Sequence, residues 1–199
     1  MNVKKLSKQT LLKGGTLLDP VNEKEYKSDV LLVHGKIANI GKVNTKDADV
    51  IDCKGMVITH GFCDLHVHFR EPGREDKETL QTGSQAALAG GFTRVCTMPN
   101  TDPPIDSPES VRFIAEKGAE CPIYIHPIGA ATKGQMGKEL TEMGGMAKEG
   151  AAAFSDDGIP IMDGGVMRRV LEYGGMLDKS VINHAEDVCL RSDGVMNEG

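Results

Sequence analysis

The sequence predicts an α/β fold: a (β/α)8 barrel truncated after about five strands, preceded by a small N-terminal β-sandwich portion. Three observations carry this. From about residue 59 onward, strand-like apolar runs alternate with helical runs five times over, the order that builds a parallel sheet with helices outside. Polar residues stand at the C-terminal end of nearly every strand, where barrel enzymes place their chemistry: His68, Asn100, His126, Asp156 or Asp157, and His184. No G-x-G-x-x-G follows a strand, so the dinucleotide-binding type of doubly wound sheet lacks its fingerprint.

Two parts follow, residues 1–58 and 59–199. In the first, TLLKGGTLLD, SDVLLVHGKIANIG and DADVIDCKGMVI alternate aliphatic residues with Gly, Asn and Asp breakers, predicting a small antiparallel sheet. His34-Gly35 marks a hairpin turn, with His34 solvated. In the second, GFCDLHVH is a strand, KETLQTGSQAALAGG a helix capped by Asp76, and FTRVCTMPN a strand. SPESVRFIAEKG is a helix with Ser107 at N-cap, Pro108 at N1, Gly118 past its end and Val111, Ile114 and Ala115 as its apolar stripe. CPIYIHPIG is a strand, TKGQMGKELTEMGGMAKEG a Gly-interrupted helix, and GAAAFSDDG a strand. MDGGVMRRVLEYGG is a helix with Val166, Val170 and Leu171 inward, and SVINHAED a fifth strand. A full barrel needs roughly 250 residues, whereas about 140 follow residue 58, and the chain stops at GVMNEG within a loop.

Composition narrows the function classes. A net charge of −6 with no basic tract argues against nucleic acid or an anionic membrane as partner. No apolar run reaches the roughly 18 residues of a membrane span, and MNVKKLSKQTLL lacks the apolar core of a signal peptide, so a cytoplasmic location is expected. Cys53, Cys63, Cys96, Cys121 and Cys189 are scattered with no C-x-x-C pair, which predicts reduced, buried thiols.

The stretch GFCDLHVHFREPG carries the chemistry. Alternation along a strand puts Phe62, Asp64, His66 and His68 on one face, and Cys63, Leu65 and Val67 on the other, under helices. His66 and His68 are then roughly 6.6–7 Å apart along the strand, a spacing from which two imidazoles converge on one ion. The donor set favours zinc, with manganese or iron as alternatives. Asp157 and His184 end later strands, and a carboxylate there can bridge two ions. A two-metal site activates water at neutral pH and polarises a carbonyl. Asp156-Asp157-Gly158 also reads as a plain turn. Arg70 offers a planar fork to a carboxylate, or else a surface ion pair with Glu71 or Glu75. Asn100 can both donate and accept. Arginine and asparagine beside a metal pair point to an anionic substrate containing an amide.

G-F-x-D-L-H-V-H-F-R-E-P-G, A-G-G-F-T-x-V-x-x-M-P-N-T, P-I-G-A-A-T-K-G, F-S-D-D-G and N-H-A-E-D, in this order, resemble the dihydroorotases of the bacterial class I type, in the amidohydrolase superfamily. The resemblance runs from roughly residue 10 to the end. It implies a barrel of the metal-dependent hydrolase type, with zinc, two per intact subunit, on His66 and His68, Asp157 as bridging ligand, and His184 on the second ion. Asp156 stays an alternative to Asp157. It implies substrate contacts at His68, Arg70 and Asn100, and a general-base Asp in a segment beyond residue 199. The implied reaction is the reversible cyclisation of N-carbamoyl-L-aspartate to (S)-dihydroorotate in pyrimidine synthesis. The implied partners are that small molecule, a second copy in a homodimer, and aspartate transcarbamoylase.

Two other readings compete. Hydantoinase- and allantoinase-like cyclic amidases share the plan, but hydantoinases bridge their metals with a carboxylated lysine where this chain has Asp-Asp-Gly. Non-catalytic dihydroorotase-like partners of aspartate transcarbamoylase typically lose metal ligands, whereas His66, His68, Asp157 and His184 are all present. His60 replaces the family's proline before Gly61 and reads as structural or exposed, and His126 as packed or solvated. The 199-residue chain by itself is expected to be inactive, because an open barrel exposes strand edges.

Overall fold

The computed structural model describes residues 9–44, 46–191 and 193–194; the final loop residues 195–199 of GVMNEG lie outside them. The chain divides into two compact units at Phe62/Cys63.

In the first unit, β1 (Gln9–Asp19), β2 (Lys24–Val33), β3 (Lys36–Ile40), β4 (Asp49–Asp52) and β5 (Val57–Ile58) form one sheet in the order β3-β2-β1-β4, with β5 also on β1. The two hairpins are antiparallel, but β4 and β5 run parallel to β1. The expected antiparallel sheet is therefore a mixed one. After β3 the chain crosses to the far edge of β1 and enters in β1's own direction, which no tight hairpin can do. At the β2–β3 turn, His34 and Gly35 have φ of 49° and 75°, the positive values a two-residue type I′ turn requires, and His34 is exposed. Leu17, Val30, Cys53 and Ile58 form this unit's core, with Leu12 and Leu32 against it.

The second unit alternates strands and helices: β6 (Phe62–Val67, starting at the division), α1 (Leu80–Ala89), β7 (Phe92–Thr97), α2 (Pro108–Ala119), β8 (Tyr124–Pro127), a 3-10 turn (Lys133–Gln135), α3 (Met143–Lys148), β9 (Ala153–Ser155), α4 (Gly164–Met176), β10 (Ser180–Ile182) and α5 (Val188–Arg191). Strands β6, β7 and β8 are neighbours in one sheet, and β9 and β10 pair parallel. A parallel bridge between Gly129 and Phe154 links β8's end to β9. A Cβ on Gly129 would lie 2.4 Å from Met146 Cε, so a side chain there would displace the end of that buried methionine. Met98, Ile128 and Ala153, with Cys96 and Ile182 against them, draw one apolar layer from four successive strands or their ends.

Several local expectations change. Helix α1 is capped by Thr79, whose hydroxyl accepts from Thr82 N–H, while Asp76 pairs with Arg74. Helix α2 starts as its punctuation dictates, with Ser107 and Ser110 in a reciprocal capping arrangement and Val111, Ile114 and Gly118 buried. The Gly-interrupted helix shrinks to six residues, because Gly134, Gln135 and Gly137 adopt positive φ. In α4 the buried stripe is Val166, Val170 and Gly174, and Leu171 is 53% exposed. Spacing by four keeps a stripe on one face, whereas five residues of helix rotate Leu171 away from Val166. Of the five thiols only Cys53 and Cys121 are buried, and Cys63 and Cys189 are exposed. No helix among the described residues is long and apolar enough to cross a membrane.

Candidate metal centre

The site forms where β6, β7, β9 and β10 end. His66 lies within β6, and His68 follows its last residue. Asn100 stands three residues beyond β7, Asp157 two beyond β9, and His184 two beyond β10. Because β6 ends at Val67, His68 belongs to the following loop rather than to the strand face expected for it, and Arg70 stands further along the same loop. The opposite face of β6 is also less covered than expected: Leu65 is 65% exposed and Cys63 is exposed. The α1 residues Gly83, Ala86 and Ala87 line a cavity with Asp64, Val67, Phe69 and Val95.

His66 Nε2 and His68 Nε2 are 3.2 Å apart. Asp157 presents one carboxylate oxygen to each ring, Oδ1 at 3.4 Å from His66 Nε2 and Oδ2 at 3.5 Å from His68 Nε2. Ligands about 2.0–2.1 Å from a tetrahedral ion stand about 3.3–3.4 Å from one another. The His66–His68 separation is close to such an edge, each ring has its own Asp157 oxygen at a similar distance, and two imidazoles with a carboxylate suit a borderline metal such as zinc. These three residues form a cluster whose donor atoms lie within 4.8 Å of one another. His184 flanks it, with Nδ1 3.7 Å from Asp157 Oδ1. Its Nε2 faces Glu186 Oε2 at 3.3 Å, and Arg191 Nε donates to Glu186 Oε1 at 2.7 Å. A ring that donates through Nε2 keeps its Nδ1 lone pair for the site.

Asp156 has a different task. It is 4% exposed; its Oδ1 accepts from Ala131 N–H and Thr132 N–H, each at 2.9 Å, and its Oδ2 from the Thr132 hydroxyl. Burial pushes this carboxyl above its ordinary value, against the pull of those hydrogen bonds. The loop it holds reaches back: Gln135, at φ 55° and buried, donates through Nε2 to the Asp157 carbonyl at 3.3 Å.

Arg70 is half-buried. The two carboxylates nearest it in sequence are engaged elsewhere: Glu71 accepts from Leu80 N–H and pairs with Lys117, and Glu75 accepts from Gly73 N–H. Among the described residues Arg70 makes no ion pair. Asn100 contacts both groups of ligands, accepting from His68 Nδ1 at 2.9 Å and donating to Asp157 Oδ2 at 3.3 Å. His60 is exposed, and His126 Nε2 lies 3.3 Å from Arg94 rather than in the cluster; burial, then Arg94, lowers its pKa. The sequence reading missed Gln135 and Glu186. Glu186 had a signal, standing two residues past His184, but Gln135 had none, because its role depends on a left-handed backbone.

Residues 55–199 match the dihydro-orotase-like family. The chain belongs to that family. It is 51% identical to the dihydroorotase of Pelotomaculum thermopropionicum over 190 residues and 47% identical to that of Caldanaerobacter subterraneus over 191, in each case 95% of this chain and 44% of the relative. The chain thus spans less than half the length of these family members. Among solved structures, it resembles an L-hydantoinase from Arthrobacter aurescens with a TM-score of 0.78 and 19% identity, covering 89% of this chain and 41% of the hydantoinase. A D-hydantoinase from a Thermus species matches with a TM-score of 0.66 and 26% identity, over 86% of this chain and 39% of that one. The dihydro-orotase-like family and the hydantoinases thus share this α/β framework.

Proposed function

We propose that this chain is the part of a dihydroorotase that carries most of its metal centre and an arginine for the substrate. The reaction is the reversible, zinc-dependent interconversion of N-carbamoyl-L-aspartate and (S)-dihydroorotate. The observation that carries the reading is the convergence of His66 Nε2, His68 Nε2 and the Asp157 carboxylate at coordination-shell spacing, in a member of the dihydro-orotase-like family. In this reading residues 59–199 are the first part of a (β/α)8 barrel, and residues 1–58 belong to a small β-sandwich portion.

His66, His68 and Asp157 would hold zinc, and His184, with its Nδ1 toward Asp157, would serve a second ion. When bound, zinc supplies Lewis acidity toward a carbonyl oxygen and lowers the pKa of water. Arg70 offers its fork to the substrate carboxylate, and the absence of an ion pair among the described residues is consistent with that use. His68 and Asn100 occupy the family's other substrate-contact positions.

The test uses the protein that carries this chain, purified with its own metal. Dihydroorotate ring opening and carbamoyl aspartate cyclisation are expected, both abolished by a chelator and restored by zinc. Ring opening of hydantoins without turnover of dihydroorotate overturns the reading.

A further inference from the structure

We infer that Asn100 is a positioning residue whose amide fixes the His68 ring and the Asp157 carboxylate in ligating register by one hydrogen bond to each. The inference rests on the reading of those two residues as metal ligands, and goes beyond the substrate contact that the family resemblance gives Asn100.

A primary amide has an oxygen that only accepts and a nitrogen that only donates. Asn100 Oδ1 is 2.9 Å from His68 Nδ1, so that ring nitrogen carries the hydrogen and Nε2 keeps its lone pair. Asn100 Nδ2 is 3.3 Å from Asp157 Oδ2, a group that accepts when ionised. The amide cannot be reversed without setting its oxygen against the carboxylate. Its orientation therefore specifies the tautomer of His68 and the placement of Asp157 together, across 32 and 57 residues of sequence.

A left-handed glycine lies against this amide. Gly158 has φ +84°, and a Cβ there would stand 3.4 Å from Asn100 Nδ2. Partners outside the coordination shell that set the tautomer of a ligating histidine also raise its basicity. Asn100 sets the tautomer before any metal arrives, because neither hydrogen bond needs one.

The test reads the His68 ring directly, by nitrogen NMR of the metal-free protein at a pH where the ring is neutral. The Nδ1–H form is expected to dominate. Asn100→Ala is expected to lose that preference and to bind zinc about 10–100-fold more weakly in competition with a chromophoric chelator. Asn100→Asp keeps an oxygen facing His68 and is expected to retain Nδ1–H. Arg70→Ala serves as the control, raising KM while zinc affinity stays at the wild-type value. Wild-type tautomer and zinc affinity in Asn100→Ala, with KM alone raised, overturn the inference and leave Asn100 a substrate contact. If Asn100→Ala does not fold, Asn100→Asp decides: loss of Nδ1–H there also overturns it. A protein that opens hydantoins but not dihydroorotate would sink the proposed reaction and leave this inference standing.

Discussion

Asp156 and Asp157 are neighbours in sequence whose carboxylates act on different parts of the molecule. Asp157 faces His66, His68 and His184, while Asp156 holds the backbone of Ala131 and Thr132. Successive residues at a strand's end point to opposite sides, so one carboxylate enters the site and the other anchors the loop beside it.

Substitution separates the two tasks. Asp156→Ala leaves two buried N–H groups and a hydroxyl without their acceptor, which costs roughly 3–9 kcal/mol at about 1–3 kcal/mol per buried donor. Its folded fraction is expected to retain metal. Asp157→Asn is expected to lose metal while its denaturation midpoint, measured without metal, shifts little. Chemical denaturation and metal analysis check both, and equal metal loss in the two variants would contradict the division.

Glu71 and Lys117 tie β6's following loop to α2. Glu71 is 3% exposed and also accepts from Leu80 N–H at 2.8 Å, near the positive end of the α1 dipole. Lys117→Met removes its ionic partner. The expected loss lies in the lower half of about 1–3 kcal/mol, because the Lys117 side chain is 46% exposed and water screens the pair. The hydrogen bond to Glu71 raises Lys117 above the ordinary lysine value of 10.5. A raised folded-state pKa means the contribution is complete below 10.5 and fades as pH climbs through the raised value. Denaturation of wild type and Lys117→Met across that range is expected to show the difference closing only at the alkaline end.

Much of the site was legible because H-x-H on a strand, Asp-Asp-Gly and Asn-His are local patterns whose placement follows from strand–helix alternation. The choice between Asp156 and Asp157 was not, since adjacent carboxylates differ only in which way a three-residue strand delivers them. Helix boundaries failed where a local rule met a competitor: Thr79 supplied a closer cap than Asp76, and positive φ at Gly134, Gln135 and Gly137 stopped a helix that its residue types would have allowed. The parallel placement of β4 was illegible for a different reason. Pairing direction depends on where a connection crosses the sheet, and no residue in 41–48 encodes that by itself.

Gly158 follows from the same geometry. At φ +84°, an L side chain costs about 1–2 kcal/mol, and the added Cβ would touch Asn100 Nδ2 at 3.4 Å. Gly158→Ala is expected to lower stability by about that amount and to weaken zinc binding with it. Gly158→Asn should be milder in stability, because asparagine visits this backbone region more readily. Calorimetry with and without zinc distinguishes backbone strain, present in both, from disturbance of the amide, seen only in the metal-dependent part.

Arg70 tests what kind of substrate the site takes. Its neighbours Glu71 and Glu75 are satisfied by other groups, so removing the guanidinium strands no carboxylate and should leave stability within about 0.5 kcal/mol. Arg70→Lys keeps the charge but loses the planar, two-pronged donor. A charge-assisted hydrogen bond contributes about 1.5–3 kcal/mol, so the loss is expected to raise KM for dihydroorotate about ten- to a hundredfold with zinc content unchanged. Steady-state kinetics beside metal analysis reads both quantities. Loss of zinc in step with activity would make Arg70 part of the scaffold. An unchanged KM would mean that the substrate carboxylate is held by some other group.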